Sequence, residues 1–314
     1  MEELVFSLNA TIPVFMLMVI GYLFKLIGLL DSSFVSKMNQ FVFKITLPVL
    51  LFKELSTADF YETWDTYFVL FCFCVSALSI LISVGISFCL KDSTIRGEFA
   101  QGCYRSSSAL LGCAFVQNIY GSAGPASLMI IAAVPLYNIA AVIILNMMKE
   151  EIQSVDATLI KKTLKDVLKN PIIIGIMLGI GWSLLRIPQP VILAKTVGSI
   201  ANLATPLGLM ALGAEFDFKQ SKENLKPAIL CASFKLIVFV GCFLPLAIKL
   251  GFRNQKLVAI LVMLGAATTV SCFVMARNLG HKGTLTSTTV VITTIASAFT
   301  LTAWLFILRC FGFI

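Results

Sequence analysis

The side chains in this chain that can do chemistry are hydroxyls, amides and a few cations, and they sit inside apolar runs. One stretch reads Arg105-Ser106-Ser107-Ser108-Ala109-Leu110-Leu111-Gly112-Cys113-Ala114. A second reads Gly265-Ala266-Ala267-Thr268-Thr269-Val270-Ser271-Cys272. Hydroxyls donate and accept hydrogen bonds, and small residues let backbones approach closely. Such groups can hold a polar solute without transforming it. The expected contacts are Ser107, Ser108, Gly112, Cys113, Thr268, Thr269 and Ser271, with Asn138 as an added amide. An ionisable group deep in an apolar run is costly and is a functional candidate by default. Arg105 and Lys44 are so placed and read as attractors for an anion. Lys235 is similarly deep, and its long stem suits snorkelling to the headgroups.

The acids are informative by position. No Asp or Glu falls at the middle of an apolar segment, and Glu54, Glu215 and Asp217 lie near ends. Coupling to protons therefore has no obvious carboxylate relay. Uniport remains open, as does ion coupling through the neutral oxygens of Thr268, Thr269 and Ser271. Enzymatic hydrolysis would need paired acids, a Ser/His pair or a two-His metal site. The chain has a single histidine, His281, near a helix end. Its nine cysteines are scattered through apolar runs and read as small helix residues. There is no phosphate-binding loop. The expectation is no catalysis, no metal and no cofactor.

Composition says what must position these groups. The chain has 314 residues, 58% of them hydrophobic and 13% charged. A soluble domain carries roughly 25% charged residues, so lipid must cover much of this surface. A bilayer-spanning helix needs about 20 apolar residues. Ten such segments are read, at about 4–28, 35–55, 65–90, 96–119, 124–148, 168–187, 190–216, 224–250, 254–279 and 284–311. Runs such as Ile172–Leu185 do not alternate in polarity, which excludes a membrane β-barrel. Asp31-Ser32-Ser33 and Lys91-Asp92-Ser93-Thr94 are turns that suit capping of the helices after them. The acidic start, Met1-Glu2-Glu3, is not a signal peptide, so the first helix is expected to stay. The longest polar stretch, Lys149–Lys169, divides the chain in two. With the N-terminus outside, inner loops hold fourteen Lys and Arg and outer loops six. Both termini are therefore expected to be extracytoplasmic, and the net charge of +8 is an orientation signal, not a nucleic-acid footprint.

The halves repeat at an offset of 158 residues. Pro13 matches Pro171, Gly21 matches Gly179, Pro48 matches Pro206, Asp59-Phe60 matches Asp217-Phe218 and Phe115-Val116 matches Phe273-Val274. One residue further on, Gly121 matches Gly280 and Gly124 matches Gly283. Five helices per half is an odd number, so the second half enters from the opposite side. The expected fold is all-α: residues 1–150 form a first repeat, 151–167 a cytoplasmic loop, and 168–314 an inverted second repeat. Inverted repeats with broken helices meeting near the midplane are an architecture of secondary transporters. The fourth and ninth helices carry the two small-residue stretches and are the expected breaks.

At these residues the chain resembles the auxin efflux carrier family, which holds plant auxin exporters and bacterial permeases for malate, malonate and similar acids. Three stretches carry the resemblance. The first is Asn39-Gln40-Phe41-Val42-Phe43-Lys44-Ile45-Thr46-Leu47-Pro48-Val49-Leu50-Leu51-Phe52. The second is Tyr104-Arg105-Ser106-Ser107, with Leu111-Gly112 and Tyr120-Gly121. The third is Ser271-Cys272-Phe273-Val274-Met275-Ala276-Arg277-Asn278-Leu279-Gly280, followed by Thr293-Thr294-Ile295-Ala296-Ser297. The resemblance implies crossed discontinuous helices 4 and 9, with a substrate carboxylate bound at the crossing by alternating access. It places the crossover at Ala114 and Cys272, where family members commonly have proline, and sets Ser107 and Ser271 where they have asparagine. The implied partners are a small organic anion and the bilayer of the plasma membrane, and family members include dimers. A sodium-coupled carrier like those for bile acids also has ten helices and crossed breaks and is the alternative. A channel is a further one.

Overall fold

The computed structural model describes residues 2–57, 64–108, 116, 119–120, 124–149, 163 and 165–314. Among them every regular element is a helix. The first long helix, α1, spans Glu2–Leu26. Helix α2 (Ser32–Phe41) starts where predicted, with the Asp31 carboxylate accepting the Phe34 N–H at 2.6 Å. It runs through a π-helical turn, Val42–Thr46, into α3 (Leu47–Ser56). Helix α4 (Thr66–Ser87) is capped by Asp65. The Asp92 cap opens a 3-10 turn that leads into α5 (Arg96–Tyr104). After α6 (Gly124–Met147), α7 (Pro171–Leu184) starts at the Asn170 cap. Helices α8 (Val191–Ala201) and α9 (Ala204–Glu215) follow, then the short α10 (Phe218–Glu223). Helix α11 (Leu225–Ser233) continues through a π turn, Phe234–Val238, into α12 (Phe239–Lys249). The chain closes with α13 (Asn254–Gly265), α14 (Val270–Asn278) and α15 (Thr284–Cys310).

Among the described residues, five stretches are long and apolar enough to cross a bilayer: Thr66–Ser87, Leu128–Met147, Val191–Glu215, Leu225–Lys249 and Thr284–Cys310. Phe15–Leu26, Pro171–Leu184 and Asn254–Gly265 are shorter apolar helices. Large apolar side chains such as Ile192, Leu185 and Phe306 lie on the outer surface. In water that would invite aggregation; in lipid it is the expected covering.

Without a hydrophobic drive between helices, close packing in lipid depends on small residues. Four glycines do this here. A Cβ on Gly21 of α1 would lie 2.2 Å from the Met210 carbonyl oxygen of α9, and one on Gly213 would lie 1.9 Å from the Met18 oxygen. A Cβ on Gly175 of α7 would lie 2.4 Å from the Pro48 oxygen of α3, and one on Gly179 would lie 3.0 Å from the Phe52 oxygen. The Gly175-x-x-x-Gly179 face, which in sequence suits packing within or between chains, packs within the chain.

Two polar clasps hold helix ends. The buried Glu98 carboxylate of α5 accepts the Gly283 N–H at 2.7 Å, the Thr286 N–H at 2.9 Å and the Thr286 hydroxyl at 3.0 Å. It thus caps α15, where a negative charge meets the positive end of the helix dipole. At the start of α4, Asp65 pairs with Lys256 of α13.

Gly213→Val is expected to lower stability by more than the ~1–3 kcal/mol of ordinary overpacking, because the clash is with backbone. Gly85→Ala, which meets nothing within 4 Å, is the matched control. Melting of the detergent-solubilised variants checks both. The Lys256 hydrogen bond holds the Asp65 carboxyl below the usual carboxylate range. A depressed carboxyl stabilises above its unfolded value and loses that as pH falls through its folded value. Asp65→Asn should therefore melt lower than the wild type at neutral pH and converge with it in acid, as a melting series across pH would record.

Candidate functional site

The site is built where two helices stop. Helix α5 ends at Tyr104, and Arg105 leaves it extended, at φ −74° and ψ 115°. Between α13 and α14, Ala266 (ψ 159°) and Thr269 (ψ 143°) are extended as well. A broken helix exposes backbone donors and acceptors that lipid cannot satisfy. Here the two breaks satisfy each other. Ser106 and Thr268 form an antiparallel bridge, and the Ser107 N–H donates to the Ala267 carbonyl at 2.9 Å. Side chains complete the knot. The Thr268 hydroxyl donates to the Gly102 carbonyl at 3.0 Å, its N–H to the Thr293 hydroxyl at 3.0 Å, and the Gln101 amide to the Cys272 carbonyl at 3.0 Å.

Two buried cations flank the bridge. Arg105 is 2% exposed. Its guanidinium donates to Asn138 Oδ1, Ser271 Oγ and Met275 Sδ, each at 2.8 Å, and more weakly to Gln101 Oε1 at 3.4 Å. Its Nε–H has no partner among the described residues. Lys235, in the π turn between α11 and α12, is fully buried and donates to Ser106 Oγ at 2.8 Å. That hydroxyl in turn donates to the Ala266 carbonyl at 3.3 Å. No carboxylate touches either cation among the described residues. Lys235 therefore does not snorkel: its π turn packs against α5, α13 and α15, and its ammonium bonds a residue of the bridge.

A cavity of about 60 Å³ opens on Arg105. Ser107, Asn138, Thr269 and Ser271 line it, together with Leu51 and Glu54 of α3. The N-terminal turn of α14 also faces it, through Thr269, Val270 and Ser271.

The sequence-predicted residues divide as follows. Arg105, Ser107, Asn138, Thr269 and Ser271 come together on the cavity. Thr268 lies in the bridge, with its N–H and hydroxyl both engaged. Ser108 is buried, and its hydroxyl has no partner among the described residues. Cys272 is within the first turn of α14, so the second break falls three to six residues before it, at 266–269. Lys44 is exposed in the first π turn and lines a separate cavity of about 480 Å³ with Asn39, Glu215, Arg277 and His281; it does not meet Arg105. Gly112, Cys113 and Ala114 lie outside the described residues. Sequence reasoning missed Glu54, Gln101, Met275 and the site role of Lys235. Depth in its segment was the available signal for Lys235. For Glu54 the position near a helix end pointed the other way.

A family model described as membrane transport protein matches residues 6–305. This chain belongs to that family of membrane transport proteins, the auxin efflux carriers. The transporter is also 21% identical over 316 residues to an uncharacterized transporter of Methanothermobacter thermautotrophicus, covering 95% of this chain and 97% of that protein. The family is one of membrane transporters and not of enzymes. The buried His281 ring of this transporter contacts the Leu145 carbonyl at 2.8 Å. Among the described residues no group of three or more His, Cys, Asp or Glu is placed to hold a metal.

A buried cation with one hydrogen bond is a net cost. Lys235→Met should leave the melting temperature unchanged or raise it. Ser106→Ala strands the ammonium and the Ala266 carbonyl, and should cost roughly 1–3 kcal/mol. Paired thermal melts of the two variants check the contrast.

Proposed function

We propose that this transporter carries a small organic anion by alternating access, binding it at the crossing of the two interrupted helices. The observation that carries the reading is the buried Arg105, whose partners are all neutral and whose Nε–H is unclaimed among the described residues. A buried guanidinium favours a planar carboxylate, which it can bind by two parallel hydrogen bonds. Ser107, Thr269 and Ser271 supply further donors, and the α14 N-terminus adds partial positive charge. An empty site with two cations is costly, and an anion relieves that cost.

The reading includes a ten-span architecture in which residues 1–150 and 168–314 are inverted repeats joined by the 151–167 loop. Helix ends support it by keeping the 158-residue offset. Leu26 and Leu184 end α1 and α7, and Arg96 and Asn254 begin α5 and α13. The π turn at Val42–Thr46 answers to the α8–α9 junction at residues 202–203. The glycine contacts also exchange: Gly21 against Met210 corresponds to Gly179 against Phe52. Loop charge supports termini outside and a plasma-membrane location, with the 151–167 loop in the cytoplasm.

The test is uptake by the purified protein in liposomes, with labelled malate, malonate, oxalate and indole acetate. Saturable uptake of one acid is the expected result; flux that never saturates would argue for a channel. Arg105→Gln removes charge-assisted hydrogen bonds of about 1.5–3 kcal/mol, so affinity should fall roughly 10- to 150-fold. The double variant Ser107→Val, Ser271→Val should lose binding while remaining folded. Wild-type affinity in that variant would refute this site.

A further inference from the structure

We propose that Glu54 is the proton-coupling group of the transporter: it takes up a proton as the anion binds beside Arg105, so that anion and proton cross together. The inference rests on the anion reading above and adds its coupling.

The observation is a contrast among carboxylates. Glu98 is buried and receives three hydrogen bonds. Glu215 pairs with Arg277 at 2.7 Å and Asp65 with Lys256. These are structural and spoken for. Glu54 is different: its Oε2 is buried with no hydrogen-bond partner among the described residues. It also lines the Arg105 cavity together with Asn138 and Ser271. A buried carboxylate oxygen left without a donor is costly unless its charge or its proton has a use.

Among the charged side chains around Glu54, Arg105 is the one on the cavity wall, while Lys53 acts on its charge from along α3. Helix α7, packed against α3, carries no charged residue between Pro171 and Leu184. The one cation of α8, Lys195, is exposed. Lys53, beside Glu54 on α3, donates to Asn202 Oδ1 at 3.4 Å. Lys44 of the π turn faces the other cavity. From α6 the titratable group is Tyr137, whose hydroxyl accepts from Ser76 at 3.3 Å. Lys235 lies behind the Ser106 hydroxyl. The charge sharing the cavity with Glu54 is therefore Arg105, which keeps its proton throughout.

Glu54 shares the cavity wall with Arg105, and in its ionised form it is the negative charge that an incoming anion would meet. An incoming anion takes the guanidinium and would then face a like charge in a dry space. Protonation removes the repulsion and turns an acceptor into an O–H donor for the anion. One proton moves onto Glu54 from the side of entry and leaves on the side of exit with the anion; no other bond changes.

Binding of labelled oxalate, malonate, malate and indole acetate to the detergent-solubilised protein, over a series from about pH 6 to about pH 9, tests this. Wild-type affinity should tighten as pH falls, by up to about tenfold per unit for one linked proton. Glu54→Gln should lose that dependence, and Glu54→Asp should keep it; comparing variants on one probe cancels the probe's own ionisation. In liposomes holding a pH dye, wild-type uptake should acidify the lumen. Wild-type pH dependence in Glu54→Gln overturns the proposal, and so does wild-type uptake without acidification, whether or not the variants fold. Failure of the wild type to bind all four acids takes down the anion reading itself. Binding that ignores pH takes down the coupling alone.

Discussion

The structure depends on one exchange of backbone hydrogen bonds. Where α5 stops at Tyr104 and α13 stops at Gly265, each helix end has donors and acceptors that a continuing helix would have satisfied. Water can serve such groups at a protein surface, but hydrocarbon cannot. The bridge of Ser106 to Thr268, with the Ser107 N–H on the Ala267 carbonyl, satisfies them inside the protein. Small side chains are required there because two backbones must come within hydrogen-bond reach. The serine- and threonine-rich composition of both stretches follows from that requirement as much as from ligand chemistry.

Once the bridge exists, charge can be brought to it. Arg105 is the first residue outside α5, so the break itself aims its guanidinium away from the helix stack and toward Asn138 and Ser271. Lys235 reaches the bridge from the other side and binds the Ser106 hydroxyl. Neither cation meets an acid among the described residues. The crossing is therefore held by neutral dipoles, which orient the cations without neutralising them. That arrangement is poor for stability, and it is the feature on which the proposed anion site rests.

The rest of the fold serves to keep the crossing in place. Helices α1 and α9, and α3 and α7, approach through glycines whose missing side chains leave room for a neighbouring carbonyl. These contacts are rigid because they are made by backbone. The Glu98 clasp ties α5 to the first turn of α15, so the half-helix that presents Arg105 is anchored at its far end.

Much of this was determined by the sequence alone. Charge depletion and unbroken apolar runs dictate membrane helices, and Asp31 and Asp92 set starts by capping. The hydroxyl stretches announce the two breaks, and Arg105, Ser107, Asn138, Thr269 and Ser271 do meet on one cavity. These features are local, or periodic along the chain, and so can be read in one dimension. Only the tertiary structure decided which deep cation is exposed and which is enclosed, because that depends on neighbours far away in sequence. It separated Lys44 from Arg105, enclosed Lys235 behind Ser106, and set the second break ahead of Cys272. It also turned Glu54, which sequence places near the end of a helix, onto the cavity wall. Distance along a helix says how deep a residue lies, but the rotation of that helix against its partners says what it faces, and that is fixed by packing.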